Sequence, residues 1–298
     1  MTNIPLPAIM GRLCLAAALT LAWLNLPRFS FTPRLAYGPV IHEEASDFSR
    51  IRVRQKGQTR HLLFVSDSGR EGLQSSLDLD NPGELQLPYS RWIFSTLLFK
   101  NPQKQVLIIG LGGGGMVRFI ETHLPETRVD VVEIDPAVVA IAGTYFGISS
   151  KPGINLITED AFTFIPKTET RYDVIYMDAF LRPSVDRDAS GLTARLKTEA
   201  FLEQLQQLLT PGGLIACNLV QNRKATSGDL IAIDHTFADV LSCKVPGSGN
   251  LLVIAGDKIV QKGGNDWISR AEALEKNHSS GLPFTTFARA LKPVNAPR

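Results

Sequence analysis

The sequence predicts an α/β protein in which a mostly parallel sheet with helices on both faces follows a small antiparallel β-domain. Three observations carry this. From residue 101 onward, strand-like apolar runs alternate with helix-compatible segments. A glycine cluster follows the first of those runs, with an acidic residue closing the next. Before them, residues 41–79 show the period-two alternation of half-buried strands, punctuated by turn residues.

Composition narrows the choice. The 298 residues are 44% hydrophobic and 20% charged, outside the regime of disordered chains and enough for one large domain or a modest domain with a smaller one. With 31 basic and 29 acidic residues there is no broad field to attract nucleic acid, and no such partner is expected. Cys14, Cys217 and Cys243 have neither zinc-knuckle nor redox spacing; Cys217 lies in an apolar run and reads as a small buried side chain.

Residues 1–40 read as a hydrophobic signal or anchor segment and linker. Arg12 precedes the apolar run Leu13 to Leu26, and Pro27, Arg28 and Arg34 close it. At about fourteen residues the run is shorter than the roughly 18 to 20 that span a bilayer, so a signal core and a short membrane anchor both fit. Residues 41–86 form the β-domain: Ile51, Val53 and His61 to Val65 supply strands, with Gly57 and Asp67-Ser68-Gly69 as turns. After Pro88, Tyr89 to Lys100 carries apolar residues at helical spacing and leads into the nucleotide-binding domain, residues 87–256.

That domain begins with the strand Val106 to Ile109. Val129 to Ile134, Ile154 to Ile157, Val174 to Met177 and Leu214 to Leu219 follow as strands, with helices near Pro136 to Tyr145 and Thr198 to Leu209. Asp135 and Pro136 suit the cap and first turn of the helix they precede. Beyond Gly256, residues 257–298 are more polar, with one helix around Trp267 to Lys276, and read as a peripheral tail.

Ligands of such sheets bind outside the carboxyl ends of the strands. Gly110, Gly112 and Gly114, within the run from Gly110 to Gly115, let backbone turn sharply and approach a ligand without a Cβ in the way. Glu133 closes the next strand about 20 residues on, where a carboxylate accepts hydrogen bonds from both ribose hydroxyls. Asp160 follows the third strand and suits the exocyclic amine of an adenine, with the amide of Ala161 facing a ring nitrogen and Ile134 flanking the ring. Asp178 ends the fourth strand and faces the same crevice.

From Ile41 to about Leu252 the chain resembles the spermidine synthases. The resemblance rests on Gly69-Arg70-Glu71-Gly72-Leu73-Gln74, Leu87-Pro88-Tyr89, the glycine loop, Val132-Glu133-Ile134-Asp135-Pro136, Glu159-Asp160-Ala161-Phe162, Tyr172-Asp173-Val174-Ile175 and Leu209-Thr210-Pro211-Gly212-Gly213. It implies a Rossmann-like S-adenosylmethionine-dependent methyltransferase fold with a small N-terminal antiparallel β-domain. It also implies that Gln74 and Glu133 contact the nucleoside and sulfonium parts of the cofactor, that Asp160 holds the adenine, and that Asp178 takes the proton from an attacking amine while Tyr89 positions it. Family members are often homodimers.

The sequence departs from the family at three polar positions. Gly113 stands where the family has an aspartate for the aminopropyl ammonium, Tyr89-Ser90-Arg91 where it has Tyr-His-Glu, and Leu181 where it has the second aspartate of Asp-Ser-Ser-Asp. Each charge-assisted contact to an ammonium contributes roughly 1.5 to 3 kcal/mol. Asp186 and Asp188 are candidate substitutes for the lost groups, or Arg91 binds an anionic substrate or a cofactor carboxylate. Three functions follow: aminopropyl transfer from decarboxylated S-adenosylmethionine to a small amine, methyl transfer from S-adenosylmethionine to another nucleophilic acceptor, and a non-catalytic nucleotide-binding module at the membrane. Transfer from a sulfonium is alignment chemistry and requires no metal. Because such cofactors are made in the cytoplasm, the domain is expected on the cytoplasmic side of a membrane, held through residues 13–26.

Overall fold

The computed structural model describes residues 36–179, 196, 198–221, 225–259 and 266–294. The apolar run at residues 13–26 lies outside these, as do Leu181, Asp186 and Asp188. No helix among the described residues is long and apolar enough to cross a membrane.

Strands β1 (Val40–Ala45), β2 (Arg50–Lys56), β3 (Thr59–Val65) and β4 (Glu71–Asp78) pair in that order as an antiparallel meander. Ile51, Val53, Leu62 and Leu63 are buried completely, while charged residues of β2 face the other way. Glu71 is held there by the guanidinium groups of Arg52 and Arg54, the latter at 2.8 Å. The β3–β4 pairing slips at one point: Leu62 faces Ser75 and Leu63 faces Leu73, leaving Gln74 as an extra, bulged residue. Bulges of this kind re-aim a side chain.

Pro88, with its φ pre-set for a first helical turn, opens α1 (Pro88–Ile93). The helix expected to run to Lys100 stops there and tightens into a 3-10 segment, Phe94–Leu98. All five residues of that segment are buried, so it lacks the solvent-facing side that a longer amphipathic helix requires.

The larger sheet comprises β5 (Gln105–Ile109), β6 (Arg128–Glu133), β7 (Ile154–Thr158), β8 (Tyr172–Met177), β9 (Leu209–Val220), β10 (Asp239–Lys244), β11 (Asn250–Gly256) and β12 (Lys292–Pro293). Its spatial order is β12-β10-β11-β9-β8-β5-β6-β7. The stretch from β9 to β7 is parallel, whereas β11 lies antiparallel between β9 and β10. That arrangement is the Rossmann-like methyltransferase sheet with its reversed hairpin at one edge. Helices α2 (Gly115–His123), α3 (Pro136–Phe146), α4 (Ala161–Phe164), α5 (Glu199–Gln207), α6 (Ala225–Thr236), α7 (Asp266–Asn277) and α8 (Phe284–Ala290) complete the fold.

Strand alternation divides the core in two. In β5, Val106 and Ile108 belong to one cluster and Leu107 and Ile109 to the other, one on each face of the sheet. The first cluster also takes in Ile51, Val53 and Leu62 of the small sheet, so both sheets share one apolar interior. Asp135 ties them further: it caps α3 through Ala137 N and accepts a 2.6 Å hydrogen bond from Ser46 Oγ.

Residues 257–298 were expected at the periphery, and part of their described stretch instead packs into the core. Phe284 and Phe287 are fully buried in the first cluster, with Phe287 against Trp92 at 4.7 Å between ring centres. The polar average of the segment conceals these two rings, which a single helical turn places on the same face.

Candidate active site

The strand order of the larger sheet reverses between β5 and β8, and a crevice opens at their carboxyl ends. Gly110 makes that approach possible. Its φ of +99° suits a residue without a side chain, and a Cβ there would lie 2.5 Å from the carbonyl oxygen of Asp178. The two strand ends that carry the glycine loop and the acidic residue can therefore touch.

One pocket collects Gln74, Gly110, Gly112, Glu133, Ile134, Asp160, Ala161 and Asp178. Gly114 lies outside that lining; it is the left-handed N-cap of α2, packed against Ile148. Tyr89 lines an adjoining cleft and reaches Asp178 from there.

Glu133 is 8% exposed, and its carboxylate accepts from Leu111 N and from Asp135 N, each at 2.9 Å. It thus fixes the glycine loop and the start of α3 at once. Burial raises its pKa, and the backbone N–H donors oppose that rise by favouring the charged form. A carboxylate has about four lone-pair sites, so capacity is left for ligand hydroxyls. Asp160 caps α4 by accepting from Phe162 N at 2.9 Å, and its position just past the strand end paired with Glu133 puts it in the same pocket lining.

Asp178 sits where the pocket meets the cleft. Its Oδ2 is 3.2 Å from the Tyr89 hydroxyl and its Oδ1 accepts from Asn218 Nδ2 at 2.8 Å. Asn218 is oriented in turn by Asn250, whose Nδ2 donates to its Oδ1 at 2.8 Å. Burial pushes the Asp178 carboxyl up to about 7, against the two hydrogen bonds, which favour ionisation. The Tyr89 phenol is raised well above its ordinary value by burial and by the neighbouring Asp178 charge, so it stays a donor. A carboxyl that titrates near neutrality and is held on both sides is suited to accept a proton from a nucleophile.

Asn218 and Asn250 were not singled out from the sequence. The signal for Asn218 was present: it is the one amide in the apolar run Leu214 to Val220, and it is 3% exposed. Gly113 is closed rather than vacant, because a Cβ on it would lie 2.7 Å from Ser75 Oγ and 3.1 Å from Phe146. A side chain at this position would displace Ser75. Among the described residues no cluster of potential ligands could hold a metal ion.

The spermine/spermidine synthase domain matches residues 86–248 of the chain. The polyamine aminopropyltransferase of Neisseria meningitidis serogroup A is 30% identical over 254 residues, which is 84% of this chain and 92% of that protein. An eEF1A lysine and N-terminal methyltransferase homolog of Drosophila pseudoobscura is 30% identical over 214 residues, 70% of this chain and 28% of that much longer protein. A spermidine synthase crystallised with the transition state analogue AdoDATO superposes with a TM-score of 0.63 at 17% identity, covering 82% of this chain and 80% of its own. That last likeness is one of fold.

Proposed function

We propose, from the premise that this chain belongs to the spermine/spermidine synthase family, that it transfers an aminopropyl group from decarboxylated S-adenosylmethionine to a small amine. The observation that carries this reading is the joining of two features at one point: the glycine-loop pocket with Glu133 and Asp160, and an Asp178 carboxyl held by Tyr89 and Asn218 at its edge.

The glycine backbone accommodates the adenosyl moiety, Glu133 receives the ribose hydroxyls, and Asp160 with the Ala161 amide receives the adenine edge. Ile134 packs on the ring, and Gln74 faces the sulfonium end. The sulfonium supplies an electrophilic carbon and a neutral thioether leaving group. An alkylammonium has a pKa near 10 and must lose a proton before its nitrogen can attack, and Asp178 takes that proton. The new N–C bond forms as the C–S bond breaks, and the electron pair of the latter stays on sulfur. Products are the extended amine and 5′-methylthioadenosine.

A second reading, methyl transfer from intact S-adenosylmethionine, is favoured by the closed position at Gly113, where the family binds the aminopropyl ammonium. The nucleoside product separates the two. Turnover of the full chain with both cofactors and a panel of amines should release 5′-methylthioadenosine. Release of S-adenosylhomocysteine in its place would replace the first reading with the second.

We place the chain on the cytoplasmic side of a membrane, on the strength of the basic-flanked apolar run at residues 13–26 and the cytoplasmic origin of its cofactor. Fractionation with protease protection tests this: a cleaved, exported form would overturn it.

A further inference from the structure

We infer that the acceptor is a primary amine carrying an anionic group at its far end, and that Arg70 selects it. This deepens the reading above and rests on it for the site of attack at Asp178.

The acceptor must approach Asp178 from the side away from the adenosyl pocket, and that side is a cleft of about 590 Å³ between β4, α1 and the β9–β11 edge. Its volume falls in the range of sites that hold drug-sized ligands, well beyond a four-carbon diamine. Tyr89 and Asn218, the two side chains that hold Asp178, form its inner end.

The charge of the described lining is unlike that of a polycation site. Only Arg70 and Glu71 are charged. Glu71 is spent: its side chain is 4% exposed and is bonded to the guanidinium groups of both Arg52 and Arg54. Arg70, next to it in sequence, is exposed and makes no ion pair among the described residues. The remaining polar groups near Asp178 are neutral, chiefly the amides of Gln74, Asn218 and Asn250.

A diamine bound with one nitrogen at Asp178 would extend its second ammonium toward a guanidinium, with no uncommitted carboxylate on the described walls. Desolvating that charge with no partner on those described walls is unfavourable, and the like charge adds to the cost. A carboxylate or phosphate in the same place meets a planar fork of donors suited to bidentate binding. Arg70 lies just before β4, four residues ahead of the bulged Gln74 and at most about 13 Å of chain away, so molecules up to that order of length can bridge Asp178 and its guanidinium.

The test uses matched pairs: ω-amino carboxylates and diamines of four, six and eight carbons, with the neutral alkylamines as reference. Each is titrated calorimetrically into the full chain saturated with 5′-methylthioadenosine, which reads acceptor binding whether or not turnover occurs. At one or more lengths the amino carboxylate should bind at least tenfold tighter than its diamine. R70E should reverse that order, and R70Q should bring the two within about threefold, a loss matching one charge-assisted contact. The alkylamines should be unaffected by either substitution. Tighter binding of the diamine at every length, an R70E ratio equal to that of the parent, or absence of saturable binding by either series would overturn the inference. Failure of any amine to yield 5′-methylthioadenosine in a parallel turnover assay would instead count against aminopropyl transfer, leaving the binding ratios to decide the role of Arg70.

Discussion

The pocket proposed for the adenosyl group and the cleft proposed for the acceptor meet at Asp178 but are built on different terms. The pocket is made by strand ends of one parallel sheet, and its groups are fixed by backbone: Glu133 accepts from two main-chain N–H groups, Asp160 caps a helix, and Gly110 fits only because it lacks a Cβ. The cleft is assembled from three sources, the bulged β4, the start of α1 and the β9–β11 edge, and its groups are fixed by side chains such as the Asn250 to Asn218 to Asp178 series. Backbone-fixed groups are costly to replace, whereas side-chain relays can be exchanged residue by residue. Glu133, Asp160 and Asp178, the acids that the resemblance assigns to cofactor and amine, are present here, while Gly113 and Ser90-Arg91 depart from the family's pattern.

The comparison breaks hardest at Asp178. D178N should lower kcat by about 10² to 10⁴, the range typical of a general base, while leaving the cofactor Kd within threefold. Its stability effect runs the other way. A carboxyl with a folded-state pKa near 7 binds its proton more tightly folded than unfolded, so stability falls as pH rises from about 4 to about 7. D178N removes that loss, and its Tm at pH 8 should exceed that of the parent by a few degrees, readable by calorimetry. In the parent, kcat/KM should climb about tenfold per pH unit below 7 and level off above it, because the base form is the ionised one. A profile that is flat from pH 5 to 8 would remove Asp178 from the role.

Glu133 sharpens the other side. A glutamine has one acceptor oxygen, so E133Q must turn its amide N–H₂ toward either Leu111 N or Asp135 N, leaving buried donors face to face at about 1 to 3 kcal/mol. Cofactor affinity should drop at least tenfold in equilibrium titration, with a lowered Tm. The smallest effect is expected at Tyr89. Y89F deletes one hydrogen bond to Asp178, roughly 0.5 to 1.5 kcal/mol, so a two- to twelvefold loss in kcat/KM for the amine is expected without change in cofactor binding.

How much of this was legible in the chain divides along the same line. The glycine loop, Glu133, Asp160 and Asp178 each lie within a few residues of a strand end, so local pattern sufficed to align them on one crevice. Asn218 and Asn250 meet only because β11 inserts antiparallel beside β9, setting Asn250 opposite Val220. That register is a long-range property, and no local spacing announces it. The burial of Phe287 is hidden for the same reason, since its partner Trp92 lies far back in the sequence, and Phe284 packs in turn against Phe287. The role of Glu71 depends on arginines two strands of pairing away. From sequence it was a motif residue without a partner.

The most direct measurement is a calorimetric titration of the full chain at neutral pH with decarboxylated and with intact S-adenosylmethionine. Saturation at one site per chain, tighter for the decarboxylated compound and weakened at least tenfold by E133Q, is the expected result. Heats that never saturate with either compound, or a strong preference for the intact one, would contradict the assignment.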